Sequence, residues 1–355
     1  MRTAIVGAGL TGLVVAFRRA AAGDDVILLE ASARTGGQIH SERAAGYVVE
    51  HGAEGYVARS EAVQALASEL GIADRVREQL TQRSYGFDGA ALQALEPGEA
   101  ARFLGFQVPR DELGRGIRSF ATGMQELTDA LAAELPPHVE LRRSCHVTSV
   151  ARSATGATVT LADAPPLPVD RVVIATTAAR AASLLEPTYG APAAALAGAP
   201  TLSSVTVSLG FARDHVRHPL DASGFVVAEA AQLEGFRACT FVSSKFAERA
   251  PAGSVQLRLF FRPTPADESL SDADYVSRAT RRLGAVIQLD APAQRSWVSR
   301  WSHALPVHSE EHREKVAALE AALAGGPIVL AGAAFHGSGI DAAVRSADHA
   351  ARTLV

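Results

Sequence analysis

Lysine is almost missing from this chain. Only Lys245 and Lys315 occur in 355 residues, and arginine supplies the rest of the basic charge. Base composition of the coding DNA explains that bias more simply than a demand for guanidinium chemistry. The formal net charge of −4 leaves no basic excess of the kind nucleic-acid binding needs. Cysteine is equally scarce. Cys145 and Cys239 form no CxxC pair and no zinc pattern, so one disulfide at most could exist and reduced thiols are expected. No run of about 18 apolar residues goes uninterrupted, so no spanning helix is expected. The apolar stretch behind Arg2 is broken by Gly7, Gly9 and Gly12 and lacks a small-residue cleavage site. It does not read as a signal peptide, and a cytoplasmic location is expected. Low-complexity segments, a Ser-His-Asp set and a carboxylate pair are also missing. The histidines show no metal-ligand spacing: His303 and His308 are five apart and have no partner pair.

What remains is an ordered chain, 48% apolar, long enough for two lobes around a large core. Residues 2–6 read as a buried strand and 10–22 as a helix ended at Gly23, where a left-handed conformation suits glycine. Residues 25–30 read as a second buried strand. Strand, helix and parallel strand make a βαβ unit. Further helices are predicted at 60–70, closed by Gly71, and at 122–135. Strands are predicted at 145–151, 156–162 and 169–175. From 201 the pattern changes. Strands at 201–211, 223–228, 237–243, 253–261 and 295–301, with one helix at 271–286, predict an antiparallel sheet. Helix 309–324, strand 327–332 and helix 340–353 return to the first pattern. The fold class expected is α/β, with the sheet lobe inserted into a nucleotide-binding lobe. Residues 1–82, 118–200 and 315–355 form the binding lobe in this reading. Residues 83–117 and 201–314 form the substrate lobe. Residues 83–117 themselves carry weak periodicity.

The strongest motif is Gly7-Ala8-Gly9-Leu10-Thr11-Gly12, set between a strand and a helix. Gly7 permits the tight turn, Gly9 lets backbone approach a pyrophosphate, and Gly12 lets helix and strand pack closely. The pyrophosphate would lie at the positive end of the helix. Glu30, 18 residues after Gly12, closes the second strand; it can accept from an adenosine ribose and would repel a 2′-phosphate. A second glycine turn follows, Glu30-Ala31-Ser32-Ala33-Arg34-Thr35-Gly36-Gly37, in which Arg34 can reach phosphate.

From this point the chain resembles the flavin amine oxidase superfamily. Its members share the GxGxxG turn, the acidic strand end and an xRxGG turn. Arg171-Val-Val-Ile-Ala-Thr-Thr177 resembles that superfamily's second nucleotide-side strand, which brings in Ala175. Ser144-Cys-His-Val147 resembles the strand whose backbone contacts adenine, through Val147. Ile328-Val-Leu-Ala-Gly332, then His336-Gly337-Ser338-Gly339-Ile340, resembles the turn and helix start beside the flavin ring. The resemblance implies non-covalent FAD. Backbone N–H groups at that helix start would stabilise negative charge on reduced flavin.

Four further segments narrow the resemblance to the flavin-dependent protoporphyrinogen oxidases. They are Arg83-Ser-Tyr-Gly-Phe-Asp-Gly-Ala-Ala-Leu92, Ser119-Phe-Ala-Thr-Gly-Met-Gln-Glu-Leu127, Ser243-Ser-Lys-Phe-Ala-Glu-Arg-Ala-Pro-Ala-Gly253 and Arg300-Trp-Ser-His-Ala-Leu-Pro306. The family's long helical insertion is replaced here by a shortened segment at 96–118. The activity implied is oxidation of a porphyrinogen to the porphyrin, with dioxygen as the simplest acceptor. The shortened segment leaves a more open site, a partner chain in place of the lobe, or a different substrate, all open. Protoporphyrinogen and coproporphyrinogen are not separated. An amine oxidase or desaturase, and a flavin-binding subunit without turnover, stand as alternatives.

Single residues carry two readings each. Arg83 can hold a substrate carboxylate or stand as a surface arginine. His336 can contact flavin or substrate, or neither. Trp301 can pack near flavin or in the core. Phe103 and Phe106 can line a cavity or anchor a loop. Lys245 tempts comparison with the lysine of amine oxidases, but its segment favours a structural or surface role. For Asp341, in the first turn of the last helix, capping alone is a sufficient explanation.

Overall fold

The computed structural model describes residues 1–96, 99–100 and 116–353. Phe103 and Phe106 lie outside them, so the expectation on those side chains does too.

Five parallel strands form the first sheet, in the order Glu140–Arg142, Asp25–Leu29, Arg2–Val6, Arg171–Ile174, Ile328–Leu330. Alternate residues face opposite sides. Ile5, Leu28 and Val173 pack with Leu13 and Val14 of helix Leu10–Ala21 and with Val344 and Ala347 of helix Ile340–Thr353. Ala4, Val6, Ile27, Leu29 and Val172 pack on the other side against Leu184, Leu185, Val316 and Leu319. Each fully buried Leu or Val contributes about 1.5–3 kcal/mol, and with both faces covered the strands read as continuous apolar runs. Gly23 (φ +87°) and Gly71 (φ +68°) end their helices in the left-handed region.

The second large sheet has seven strands: Arg295–Pro306, Thr201–Ala212, Ser254–Phe261, Phe236–Phe241, Gly224–Val227, Ser84–Phe87 and Leu92–Leu95. It is antiparallel except where Gly224–Val227 runs parallel to Ser84–Phe87. One face is apolar: Val205, Val207, Leu209, Leu257 and Leu259 meet Tyr275, Ala279 and Leu283 of helix Asp272–Gly284. The other face carries Thr206, Ser208, Gln256, Arg258 and Ser299, all buried. The α/β class with an antiparallel-type sheet is therefore what the chain forms.

Several boundaries differ from the sequence reading. The strand expected at 169–175 is two. Leu167–Val169 pairs with Ala157–Leu161, and Asp170 then turns the chain, its backbone N–H donating to Arg2 O (2.9 Å). Strand 295–301 continues to Pro306 because Thr201 and Leu202 pair with Pro306 and Leu305. A helix at Ala178–Tyr189 was not anticipated; Pro187 and Gly190 masked its pattern, while Thr177 caps it by accepting from Arg180 N. The hairpin Ser41–Ala44/Tyr47–Glu50 and the small sheet of Tyr56–Val57, Ile117–Phe120 and Val76–Glu78 were also missed. Strands of two to four residues leave too short a pattern to read.

Candidate functional site

A single cavity of about 830 Å³ runs between the two large sheets. At one end are Gly7, Gly9, Leu10, Thr11, Glu30, Ala31, Gly36 and Gly37. Val147 and Ala175 join that wall. Gly332 lies beside Thr11, and Gly339 and Ile340 follow on the same lining; Gly52, Gly55, Tyr56 and Val57 and the polar sheet face with Ser204, Thr206, Arg258, Phe260, Trp301 and His303 line the rest.

The glycines of the first turn have separate reasons. A Cβ on Gly12 would lie 1.8 Å from Gly7 O, and one on Gly7, at φ +102°, 2.5 Å from Ala175 O. Both are required by the protein's own packing. Gly9 is different. Its φ is −70°, open to any residue, and a Cβ would meet only Gly37 Cα at 3.8 Å. No atom of the protein demands glycine there, and the space beside it opens to the cavity. Helix Leu10–Ala21 begins at Gly9 with no side-chain cap and no acid in its first turn. Its leading N–H groups and positive dipole end thus face the cavity, where a pyrophosphate fits.

Glu30 is fixed by its neighbours. One carboxylate oxygen accepts from Ala8 N (2.7 Å), the other from Ser32 N (2.9 Å) and Ser32 Oγ (2.7 Å). Arg34 does not line the cavity. Its guanidinium donates to the carbonyls of Thr35 and Ile39, both at 3.1 Å, and of Gly37. It ties the second glycine turn rather than reaching a phosphate. Gly12 sits beneath the wall, and Gly337 beside it.

Neither described substrate residue of the sequence reading faces the cavity. Arg83 is exposed on its hairpin and donates to Asp221 at 2.7 Å. His336 lies between Ser346 Oγ and Glu320, both at 2.7 Å. Trp301 does line the cavity, and its indole N–H donates to His51 O at 2.6 Å. Asp341 does more than cap: it is buried, accepts from Ser60 Oγ (2.8 Å) and from Arg345 (3.0 Å), and so ties the last helix to residue 60.

Behind the sheet end lies a buried charged cluster. Lys245 donates to Glu54 (2.8 Å), Arg258 stands 3.8 Å from the same carboxylate, and Arg249 donates to Glu50 (3.3 Å). Arg249 also donates to Ser119 Oγ (2.7 Å) and Phe120 O (2.8 Å), and Arg258 to Gly52 O (2.8 Å). Lys245 is thus structural and not on the surface. Burial pushes the Glu54 carboxyl up, but Lys245 and Arg258 more than reverse it and hold it below the usual carboxylate range. At Glu50 burial prevails over Arg249, and the carboxyl is raised. Burial likewise pushes the Tyr56 phenol up to about 12.

The cavity residues the sequence reading overlooked are Ser204, Thr206, Arg258, Phe260 and His303. Their signal was present: Ser204, Thr206 and Ser208 alternate with Val205, Val207 and Leu209. Alternation alone does not say that the polar face also turns inward.

Comparison with known proteins agrees with this geometry. The family described as flavin containing amine oxidoreductase matches residues 84–355, about three quarters of the chain, and an NAD(P)-binding Rossmann-like domain matches residues 5–70. A coproporphyrinogen III oxidase of Propionibacterium freudenreichii subsp. freudenreichii is 30% identical over 67% of this chain and 45% of its own length. The chain spans about half the length of the first curated relatives it matches. A coproporphyrinogen III oxidase of Mycobacterium leprae is 25% identical over 99% of this chain and 97% of its own. Among solved structures, a protein of Exiguobacterium sp. 255-15, provisionally named protoporphyrinogen oxidase, superposes with TM-score 0.85. It is 21% identical, with 99% and 98% of the two chains covered. Among the described residues no helix is long and apolar enough to cross a membrane. A glycine turn with free space beside Gly9, an uncapped helix start and a cavity reaching a second sheet are what an extended dinucleotide needs, and this chain belongs to the flavin containing amine oxidoreductases, a family of FAD-dependent oxidoreductases.

Proposed function

We propose that this chain oxidises a porphyrinogen to the corresponding porphyrin, with dioxygen as electron acceptor. One observation carries the geometric side: the nucleotide end and the polar sheet face belong to one continuous cavity. A substrate against the sheet would therefore meet the far end of a cofactor anchored at Gly9. The substrate class rests on the relatives, seven of which carry the name coproporphyrinogen III oxidase. Coproporphyrinogen III is accordingly the substrate to test first, ahead of protoporphyrinogen IX.

When bound, FAD supplies the acceptor for the hydride that leaves a saturated bridging carbon of the tetrapyrrole. The chain does the rest. The N–H groups at the start of helix Leu10–Ala21 hold the pyrophosphate, and Glu30 receives the adenosine ribose. Gly332, beside Thr11, and Gly339 and Ile340 would bring the last helix start against the bound cofactor. Trp301, Phe260 and Thr206 exclude water and present the substrate face. A pyrrole N–H proton leaves with each hydride, and three such steps convert porphyrinogen to porphyrin. Protein bases are not required, because the electron-rich substrate tautomerises readily.

The test uses purified protein in air. Addition of coproporphyrinogen III should produce porphyrin fluorescence at several times the non-enzymatic rate, with one peroxide per two-electron step. A yellow protein that gives no porphyrin from either porphyrinogen would refute the substrate class. Activity only after a second chain is added would place the missing helical lobe in a partner.

A further inference from the structure

We propose that the buried cluster of Glu50, Glu54, Lys245, Arg249 and Arg258 sets the reduction potential of the flavin, by holding one unmatched positive charge behind the sheet end of the cavity. The inference rests on flavin binding and not on the substrate reading.

The charge count comes first. Three cations face two carboxylates, and no side chain of the five is more than 9% exposed. Buried charges are normally paired, because desolvation of a lone ion costs several kcal/mol. Here the pairing is incomplete. Lys245 takes one oxygen of Glu54 at 2.8 Å, which leaves Arg258 at 3.8 Å from the other. Arg258 spends its remaining donors on neutral acceptors, Gly52 O at 2.8 Å and Thr206 Oγ1 at 3.3 Å. Its Nε is buried without a partner. The strongest electrostatic neighbours within the network are its own members: Glu54 responds to Lys245, Arg258 and Arg249, and Arg258 to Glu54 and Glu50. Burial raises Glu50, and a proton there would only increase the positive excess. The sign of the cluster is therefore fixed.

The location comes second. Arg258 is the member that lines the cavity, and both of its neutral acceptors belong to residues that line it too. The opposite end of that cavity is taken by the glycine turn and Glu30, the phosphate and ribose end. The redox ring of an extended dinucleotide would then reach toward the second large sheet, which carries Arg258 and Thr206. Asp341, the buried carboxylate on the cavity wall, is matched by Arg345 at 3.0 Å and does not cancel the excess. Reduction of flavin adds negative charge to the ring, so a fixed cation in a low-dielectric wall favours the reduced form. A high potential suits an enzyme that takes hydride from carbon.

The holoprotein tests this by equilibration of its flavin with redox dyes. Arg258→Met and Lys245→Met should lower the midpoint potential, and Glu54→Gln should raise it. Each shift should be about tenfold in the reduced-to-oxidised ratio at fixed potential, ~30 mV for a two-electron couple. Arg258→Lys keeps the charge and should keep the wild-type value. The double change Glu54→Gln with Lys245→Met removes one charge of each sign and should also restore it. Lys315→Met, in a helix pair with the exposed Glu311, should change nothing. A merely structural cluster would not give shifts of opposite sign. Potentials that stay put, or that move the same way for Glu54→Gln and Lys245→Met, would overturn the proposal. If Arg258→Met does not retain flavin, those two variants alone decide. Absence of porphyrin formation leaves this result standing and counts only against the substrate reading.

Discussion

Gly9→Val should yield a folded, colourless protein. The valine Cβ has 3.8 Å to its nearest protein atom and an ordinary φ of −70°, so the apoprotein should keep its thermal midpoint within a few degrees. The branched side chain would instead occupy the space where a pyrophosphate approaches the backbone. Overpacking of that kind costs about 3 kcal/mol, a hundredfold or more in flavin affinity. Flavin titration followed by fluorescence quenching reads the loss. Gly12→Val is the informative contrast. Its Cβ would sit 1.8 Å from Gly7 O, inside the contact between helix and strand. That variant should fail at the level of the fold, as insoluble or largely unfolded chain. Retention of flavin by Gly9→Val at wild-type affinity would mean that the first helix start does not hold the pyrophosphate.

Arg249→Met should be the most destabilising single change outside the first turn. Arg249 is 1% exposed and joins three acceptors: Glu50, Ser119 Oγ and Phe120 O. Its removal leaves Glu50 buried with Ser41 Oγ (2.6 Å) and Met124 N (2.8 Å) as remaining donors, and with Arg258 acting on it only from a distance. Removing one partner of a buried ion pair costs about 3–5 kcal/mol. That is a large share of the ~5–15 kcal/mol that stabilises a typical domain. Urea unfolding monitored by tryptophan fluorescence should show the midpoint fall accordingly. The double change Arg249→Met with Glu50→Gln should recover part of it, because the amide is cheaper to bury than a lone carboxylate. A loss below about 1 kcal/mol would show that water reaches the pair.

The two glycine turns, four of the five parallel strands and the last helix could be read directly, because each combines a strict spacing with an apolar run; the short edge strand Glu140–Arg142 has no such run and went unread. Glu30, Gly36 and Gly37 stand on the cavity wall for the same reason: a short loop after a strand allows few positions. Arg34 and Arg83 show where such reading stops. Arg34 was read as able to reach phosphate, and Arg83 as either a carboxylate holder or a surface arginine; both found partners nearer home, three backbone carbonyls for one and, at the surface, Asp221 for the other. A long flexible cation takes whichever acceptor the tertiary fold brings within reach, and no local pattern encodes that. Arg258, Lys245 and Glu54 are further apart still. They come from a strand, a short helix and a loop that meet only when two sheets close on one another. Sequence spacing carries no trace of that meeting. The Ser-Ser-Lys-Phe segment was noticed as a likeness; its chemistry emerges only with Glu54 2.8 Å away.

The strand order of the parallel sheet has a consequence for synthesis. The glycine turn lies within the first twelve residues, yet the strand at the edge of its sheet, Ile328–Leu330, and the helix that covers it, Ile340–Thr353, come some three hundred residues later. A chain leaving the ribosome therefore carries that glycine turn without its finished sheet until those residues have been made. Contacts that distant in sequence form slowly. Helix Leu10–Ala21 would meanwhile expose the apolar face that Val344 and Ala347 later bury. Cofactor capture would have to wait for those residues, and cells short of flavin would hold this chain without the stabilisation that binding gives.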